Sequence, residues 1–231
     1  MPTMREIYTK HSYEYDELVS HEDYQNNLSK TLLKHFDFKD KTVIELGTGT
    51  GRLTKLYIQQ VEHVYCFDRS QHMLEKAKEN LRGEKDKVTF DICDNEAIDS
   101  IQQNADIVIE GWSFGHTVGD NKGQIEQTVE KLFSDCSALL NPNGTVIIIE
   151  TLGTNMKKAG PPSDSLKQFY ELLENKHCFT QQIIETDYLF KSALEAERIM
   201  GYFFGEEMST ALQHSPTKKI KEYTGFWYKK F

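Results

Sequence analysis

Residues 43–54 read VIELGTGTGRLT, and this segment constrains the fold more than any other stretch of the chain. An apolar run, Thr42 to Leu46, has the length and composition of a strand. It leads into glycines at alternate positions, Gly47, Gly49 and Gly51, directly ahead of an expected helix over 51–60. Glycine reaches backbone conformations closed to other residues, so the turn can be sharp and the main chain can approach a ligand closely. In open α/β sheets ligands bind outside the carboxyl ends of the strands. The spacing departs from the dinucleotide fingerprint G-x-G-x-x-G. Counted from Gly47, the third glycine would fall on Arg52; counted from Gly49, it would fall on Thr54. The P-loop pattern GxxxxGK[ST] is missing as well, so neither a nicotinamide site nor a nucleoside-triphosphate loop is favoured.

The rest of the chain repeats the alternation of strand and helix. Strands are expected at 64–67, 88–92, 105–110 and 145–149. Helices are expected at 71–82, where Ser70 is a good N-cap and Gly83 a good stop, and at 122–140, closed by the turn Asn141-Pro142-Asn143-Gly144. Such alternation means parallel strands with helical crossovers. Before it, residues 14–36 carry a rough helical stripe. After it come a loop over 153–165, a helix at 166–176, a strand at 182–190, a helix opened by the capping box Ser192-x-x-Glu195 and running to Leu212, and a last strand at 223–229. The two late strands suit an antiparallel edge added to the sheet. The fold class is therefore α/β: a Rossmann-like open sheet with helices on both faces and an antiparallel C-terminal edge strand. With 231 residues and no linker, a single domain is expected.

Composition narrows the function. The formal charge is −9, which disfavours a general nucleic-acid binder, since phosphate-backbone affinity comes from clustered Lys and Arg. No apolar run approaches the roughly 20 residues that span a bilayer, and the N-terminus has no apolar signal core, so no membrane partner is expected. The four cysteines, Cys66, Cys93, Cys136 and Cys178, are widely spaced, which predicts neither a metal site nor a disulfide framework and fits a cytoplasmic protein. Asp68 ends the second strand, 23 residues after Glu45, where a carboxylate can accept both hydroxyls of a ribose.

Taken in order, E-L-G-T-G-T-G (45–51), D-R-S-Q-H-M-L-E-K-A (68–77), I-C-D-N (92–95) and L-L-N-P-N-G-T (139–145) resemble the class I S-adenosylmethionine-dependent methyltransferases, in their small-molecule branch. The resemblance covers about residues 42–150. More weakly, Tyr8-x3-Ser12-x2-Tyr15-Asp16 resembles the family's aromatic entry helix, and Tyr188 to Ala196 its sixth strand and following helix. It implies a helical cap over 1–40, a cofactor-binding core over 41–150, and a lid with edge strands over 151–231. It implies S-adenosylmethionine as cofactor, with no metal. Glu45, Gly47, Thr48, Gly49 and Gly51 would form the turn around its methionine part, and Asp68 would hold the ribose. Arg69 and Met73 would lie along the adenine, Asp94 and Asn95 would meet its edge, Gly111 and Trp112 would line the sulfonium end, and Tyr15 would close over the cofactor from the N-terminal helix. Cys93 stands where many relatives carry glycine.

Methyl transfer is an in-line displacement on an activated carbon, so placing the nucleophile is the main task and a base is needed only for an acceptor that loses a proton. His116 and Glu150 are the candidate catalytic groups, and Tyr8, Tyr13, His116 and Glu150 the candidate contacts to a small-molecule acceptor. His116 is expected in a loop beyond the fourth strand. Alternative readings are a methyltransferase acting on RNA or protein, or a non-catalytic binding or regulatory protein. Glu110-Gly111-Trp112-Ser113 stands where an NPPY-like tetrad would mark base methylation. The acceptor and the oligomeric state are not legible in the sequence.

Overall fold

The structure is a computed structural model that describes residues 4–231, with side chains from Glu6 onward; the first three residues of the expected cap lie outside the described residues. Three helices open the chain: α1 (Met4–Lys10), α2 (Ser12–Val19) and α3 (Asn27–His35). Strands β1 (Thr42–Leu46), β2 (His63–Asp68), β3 (Val88–Ile92), β4 (Ala105–Gly111) and β5 (Leu140–Thr154) follow, connected through α4 (Thr54–Tyr57), α5 (Gln71–Asn80), α6 (Phe114–Asp120) and α7 (Ile125–Ala138). Then come α8 (Asp164–Glu171), β6 (Thr180–Glu185), β7 (Tyr188–Leu189), α9 (Ala193–Phe204), α10 (Glu206–His214), β8 (Lys219–Ile220) and β9 (Glu222–Lys230).

Seven strands form one sheet in the order β3-β2-β1-β4-β5-β9-β6. β1 to β5 pair in parallel, and β9 runs antiparallel to both β5 and β6, completing that side of the sheet. The short β7 and β8 form a separate antiparallel ribbon. The chain reverses its direction of winding between β1 and β4, so a crevice opens at their carboxyl ends.

Strand periodicity sorts the core into two layers. Ile44, Leu46, Val108, Val146 and Ile148 pack on one face with α6, α7 and α8, whose buried residues include Phe114, Leu132 and Phe169. Val43, Val64, Ile107, Ile109, Ile147 and Ile149 pack on the other with Leu32, Phe38 and Tyr57. The same parity puts Glu110 and Glu150 on the first face, beneath α6. A smaller cluster joins Leu18 to Tyr188, Ile199 and Met200. Among the described residues no helix is long and apolar enough to cross a membrane.

Local differences from the expected elements have physical causes. The stripe over 14–36 breaks because Asp23 and Asn26 take left-handed backbone (φ 53° and 57°), and the Asp23 carboxylate accepts from the N–H groups of Asn27 and Leu28 at 2.8 and 2.9 Å, starting α3 afresh. The helix expected over 51–60 shrinks to α4. Its N–H groups alternate between the fourth preceding carbonyl (Lys55 to Gly51, Ile58 to Thr54) and the third (Leu56 to Leu53, Gln60 to Tyr57). Thr186 and Asp187 divide the expected strand over 182–190, and Gly205 (φ 96°) divides the long late helix into α9 and α10. At the start of α9, Ser192 Oγ accepts from Glu195 N–H at 3.1 Å.

Candidate functional site

The three glycines of the turn have φ of 66°, 58° and 80°, and their lost side chains make room for different things. A Cβ on Gly47 would sit 2.2 Å from Ser113 Cβ, so the turn lies directly on the segment after β4. A Cβ on Gly51 would sit 2.9 Å from a Leu81 methyl, so this glycine lets the turn pack on α5. Gly49 faces the crevice, with Tyr15 as its nearest neighbour. Asp68 fastens the turn to the end of β2: its carboxylate accepts from Gly49 N–H and from Ser70 N–H, each at 2.8 Å. Burial pushes the Asp68 carboxyl up, and these two N–H donors pull against that rise.

The turn, β2 and the segment after β4 line a narrow cleft at the carboxyl ends of the strands, where ligands bind in open α/β sheets. Of the residues that the resemblance assigns to the cofactor, Tyr15, Gly47, Gly49, Asp68, Arg69, Asp94, Asn95, Gly111 and Trp112 line it. Four others do not. Met73 is 1% exposed and packs in the core behind α5's first turn, where its N–H is held by Ser70 Oγ. Glu45 turns away from the cleft, because alternate positions of β1 face opposite sides; its carboxylate accepts from Tyr57 and from Thr54 Oγ1. Thr48 and Gly51 are buried in the turn itself. Asp94 accepts from Glu96 N–H at 3.0 Å, and the Asn95 amide donates to Ser113 and Thr117 hydroxyls at 3.3 and 3.1 Å.

Helices α1 and α2 lie across this cleft and are tied to α5. Ser70 Oγ donates to the Tyr8 carbonyl at 2.6 Å, Ser12 Oγ lies 2.9 Å from His72 Nε2, and the Asn80 amide donates to Asp16 at 2.9 Å. Tyr8 and Tyr15 meet edge to face, their ring centroids 5.6 Å apart. Tyr13 does not join them. Two residues along a helix is about 200° of turn, so it points outward, 57% exposed, and its hydroxyl donates to Glu79.

A second, larger and more open cleft adjoins the first. Tyr8, Tyr15, Trp112 and His116 line both, and so form the wall between them. His116 stands on α6 rather than in a loop. Glu110 and Glu150 explain that helix: Glu110 Oε2 accepts from Ser113 N–H, Ser113 Oγ and Phe114 N–H, and Glu150 Oε1 accepts from Gly115 N–H at 2.6 Å. Two carboxylates at the unpaired N–H groups of a helix start offset the poor helix propensity of Gly115, Thr117 and Gly119. Burial raises both carboxyls, Glu110 to about 7 and Glu150 well above the usual carboxylate range. Burial, and then the charge of Arg69, lowers the His116 imidazole, against the pull of Asp120.

Several lining residues were not anticipated. Arg52, next to the last glycine, lies flat over the Trp112 ring, 3.5 Å from its centre, and pairs with Glu22. Trp112 holds left-handed backbone, φ 55°, and its N–H is held by Ile149 O at 2.7 Å. Tyr188 donates to Glu22 at 2.9 Å, and Thr151 Oγ1 donates to Glu222 Oε1 at 2.9 Å. Glu22 and Glu222 carry no motif; only the long-range pairing of β5 with β9 and the packing of α2 bring them here. Phe203 and Phe204 also line the second cleft. Among the described residues no three His, Cys, Asp or Glu side chains are grouped to hold a metal.

A family model described as "Methyltransferase domain" matches residues 37–221. An uncharacterised methyltransferase of Bacillus mycoides is 26% identical over 176 residues, which is 72% of this chain and 76% of that protein. Phosphoethanolamine N-methyltransferase 1 of Triticum aestivum is 28% identical over 153 residues, covering 63% of this chain and 29% of that protein. Among solved structures, phosphoethanolamine N-methyltransferase 2 of Haemonchus contortus, in complex with S-adenosyl-L-methionine, has a TM-score of 0.58 at 17% identity, over 99% of this chain and 60% of that one. At such identity the likeness is one of fold.

Proposed function

The chain belongs to the methyltransferase-domain family and is a class I S-adenosylmethionine-dependent methyltransferase, and on that premise we propose that it methylates a small molecule seated in the second cleft. The observation that carries the reading is the shared wall: a donor in one cleft and an acceptor in the other would meet at Tyr8, Tyr15, Trp112 and His116.

The first cleft suits the cofactor. Asp68 has lone pairs left beyond those taken by Gly49 and Ser70, and two vicinal hydroxyls of a ribose are the donors that would fill them. Gly47 and Gly49 would carry the methionine part past the turn, Arg69, Asp94 and Asn95 would border the adenine, and Gly111, Trp112 and Tyr15 would enclose the sulfonium. Glu45, Thr48, Gly51 and Met73 would support the cleft from behind. S-adenosylmethionine supplies an activated methyl group.

The chain's own work is then placement and exclusion of water, with α1 and α2 as the cap and the segments after residue 151 as the far wall. His116, held neutral by burial, could take a proton from an acceptor at the wall, and Glu150 would orient that acceptor. Free cysteines at Cys66, Cys93, Cys136 and Cys178 fit a reducing, cytoplasmic setting.

The test is a thermal-shift comparison of S-adenosylhomocysteine with NADH and ATP. Saturation at 100 times the dissociation constant gives about 2.7 kcal/mol. S-adenosylhomocysteine alone should raise the melting temperature, and Asp68→Ala should abolish the rise. A rise with NADH instead would sink the reading.

A further inference from the structure

We propose that the second cleft selects an acceptor carrying a cationic amine, which seats against Glu222 with Glu150 beside it; this rests on the methyl-transfer reading above and names its substrate class. Glu222 is 2% exposed and lines the cleft. Its Oε1 accepts the Thr151 hydroxyl, but its Oε2 is buried with no hydrogen-bond partner among the described residues. An unsatisfied buried acceptor of this kind is costly, and a ligand N–H donor is what relieves it.

The charge around the cleft points the same way. Among the described residues its lining holds four carboxyl groups, Glu22, Glu150, Glu207 and Glu222, and one guanidinium, Arg52. Arg52 is already engaged by Glu22 and by the Trp112 ring. An anionic acceptor would therefore meet carboxyl groups with no free cation among the described lining residues to pair with it, whereas an ammonium in contact would favour their ionised form and be held by it. Tyr15 and Phe203 add aromatic surface that suits an alkylammonium.

Glu222 is faced by Glu22 and Arg52 across the cleft and by Thr151 and Thr154 on β5. Its N–H is held by Asp187, which is paired with Lys219 and Lys221. Burial, and then the charge of Glu22, pushes its carboxyl up to about 8. An ammonium in contact would lower it again, so binding near pH 7 should expel a proton.

The experiment is isothermal titration calorimetry at pH 7, with and without saturating S-adenosylhomocysteine. The probes are three amines, phenethylamine, butylamine and tryptamine, each set against the alcohol and the carboxylate of the same skeleton. At least one amine should bind about tenfold or more tightly than its alcohol and carboxylate, and Glu222→Gln should weaken it about tenfold or more. Binding measured in buffers of different ionisation enthalpy should report proton release, and Glu222→Gln should remove that release. Glu150→Gln should weaken the amine to a lesser degree. Glu222→Gln should keep wild-type affinity for S-adenosylhomocysteine, which shows that it is folded. No preference for any amine, a preference for a carboxylate, or an amine affinity untouched by Glu222→Gln would overturn the proposal. Failure of S-adenosylhomocysteine to bind would sink the methyl-transfer reading instead, and amine selectivity would still be read in its absence.

Discussion

The Tyr8 hydroxyl and His116 Nε2 lie 2.9 Å apart although 108 residues separate them in the chain. The contact joins α1 to α6 across the wall between the two clefts, and Ser70 Oγ holds the Tyr8 backbone from the other side. Both rings are largely buried; burial raises the Tyr8 phenol and lowers the His116 imidazole, so the pair is neutral on both sides near pH 7. One hydrogen bond of this kind contributes about 0.5–1.5 kcal/mol.

That contact sets the first expectation. Tyr8→Phe should loosen α1 and speed release of bound S-adenosylhomocysteine by about 3- to 10-fold, with little change in its association rate. Stopped-flow displacement checks this; an unchanged release rate would mean that α1 does not latch the cleft.

Asp68 both shapes the turn and faces the ligand. Asp68→Asn keeps the size but loses the charge and one acceptor, and should weaken S-adenosylhomocysteine by about 10- to 100-fold, hydrogen bonds to charged groups being worth about 1.5–3 kcal/mol. Gly47→Ala should do at least as much damage, since its methyl would collide with Ser113. Calorimetric titration of the two variants separates loss of charge from loss of turn geometry.

Arg52 and Glu22 form a largely buried pair, 19% and 6% exposed. Arg52→Ala leaves Glu22 without its cation and strips the cover from Trp112, and should destabilise the protein by about 3 kcal/mol. Glu22→Gln in the Arg52→Ala background should recover part of that loss. Urea unfolding of the single and double variants reads both numbers; an additive double variant would deny the coupling.

Buried carboxyls set the pH dependence of stability. Glu45 and Glu110 are raised to about 7 and Glu222 to about 8, each by burial first. A carboxyl raised on folding contributes stability that is fully present below its unfolded value and is lost as pH rises through its folded value. The protein should therefore be more stable at pH 5.5 than at pH 8.5, by on the order of 2 kcal/mol per such group. Glu45→Gln should flatten the part of the slope between about pH 4.5 and 7. Denaturant midpoints across that range decide it: a midpoint that rises with pH contradicts the assignment.

The parallel half of the molecule was legible because β1 and β2 are short, largely apolar runs that end at turn residues with distinct roles, as Leu46 runs into Gly47 and Phe67 into Asp68; β5 starts earlier than expected, at Leu140, and takes in the expected turn over 141–144. The cofactor cleft was legible for the same reason, since its lining comes mostly from those strand ends. Met73 and Tyr13 show the limit. The motif locates their segments, but helix rotation decides which way a side chain points, and a two-residue step sends Tyr13 outward while Tyr15 points in. The second cleft was least legible. Glu22, Arg52, Tyr188 and Glu222 meet only through the docking of α2 and the pairing of β5 with β9, contacts between distant parts of the chain that no local pattern encodes. Helix α6 was missed because its support comes from carboxylates on two strands rather than from its own glycine-rich sequence.

The interior carboxyls also change what the molecule looks like from outside. The formal charge of −9 counts every Asp and Glu as ionised. Burial pushes the Glu150 carboxyl well above the usual carboxylate range, Glu222 to about 8, and Glu45 and Glu110 to about 7, so these groups carry less negative charge at pH 7 than free carboxyls would. In an electric field the folded chain should migrate as a less negative particle than its composition implies and focus above pH 5.4, and urea should restore the difference.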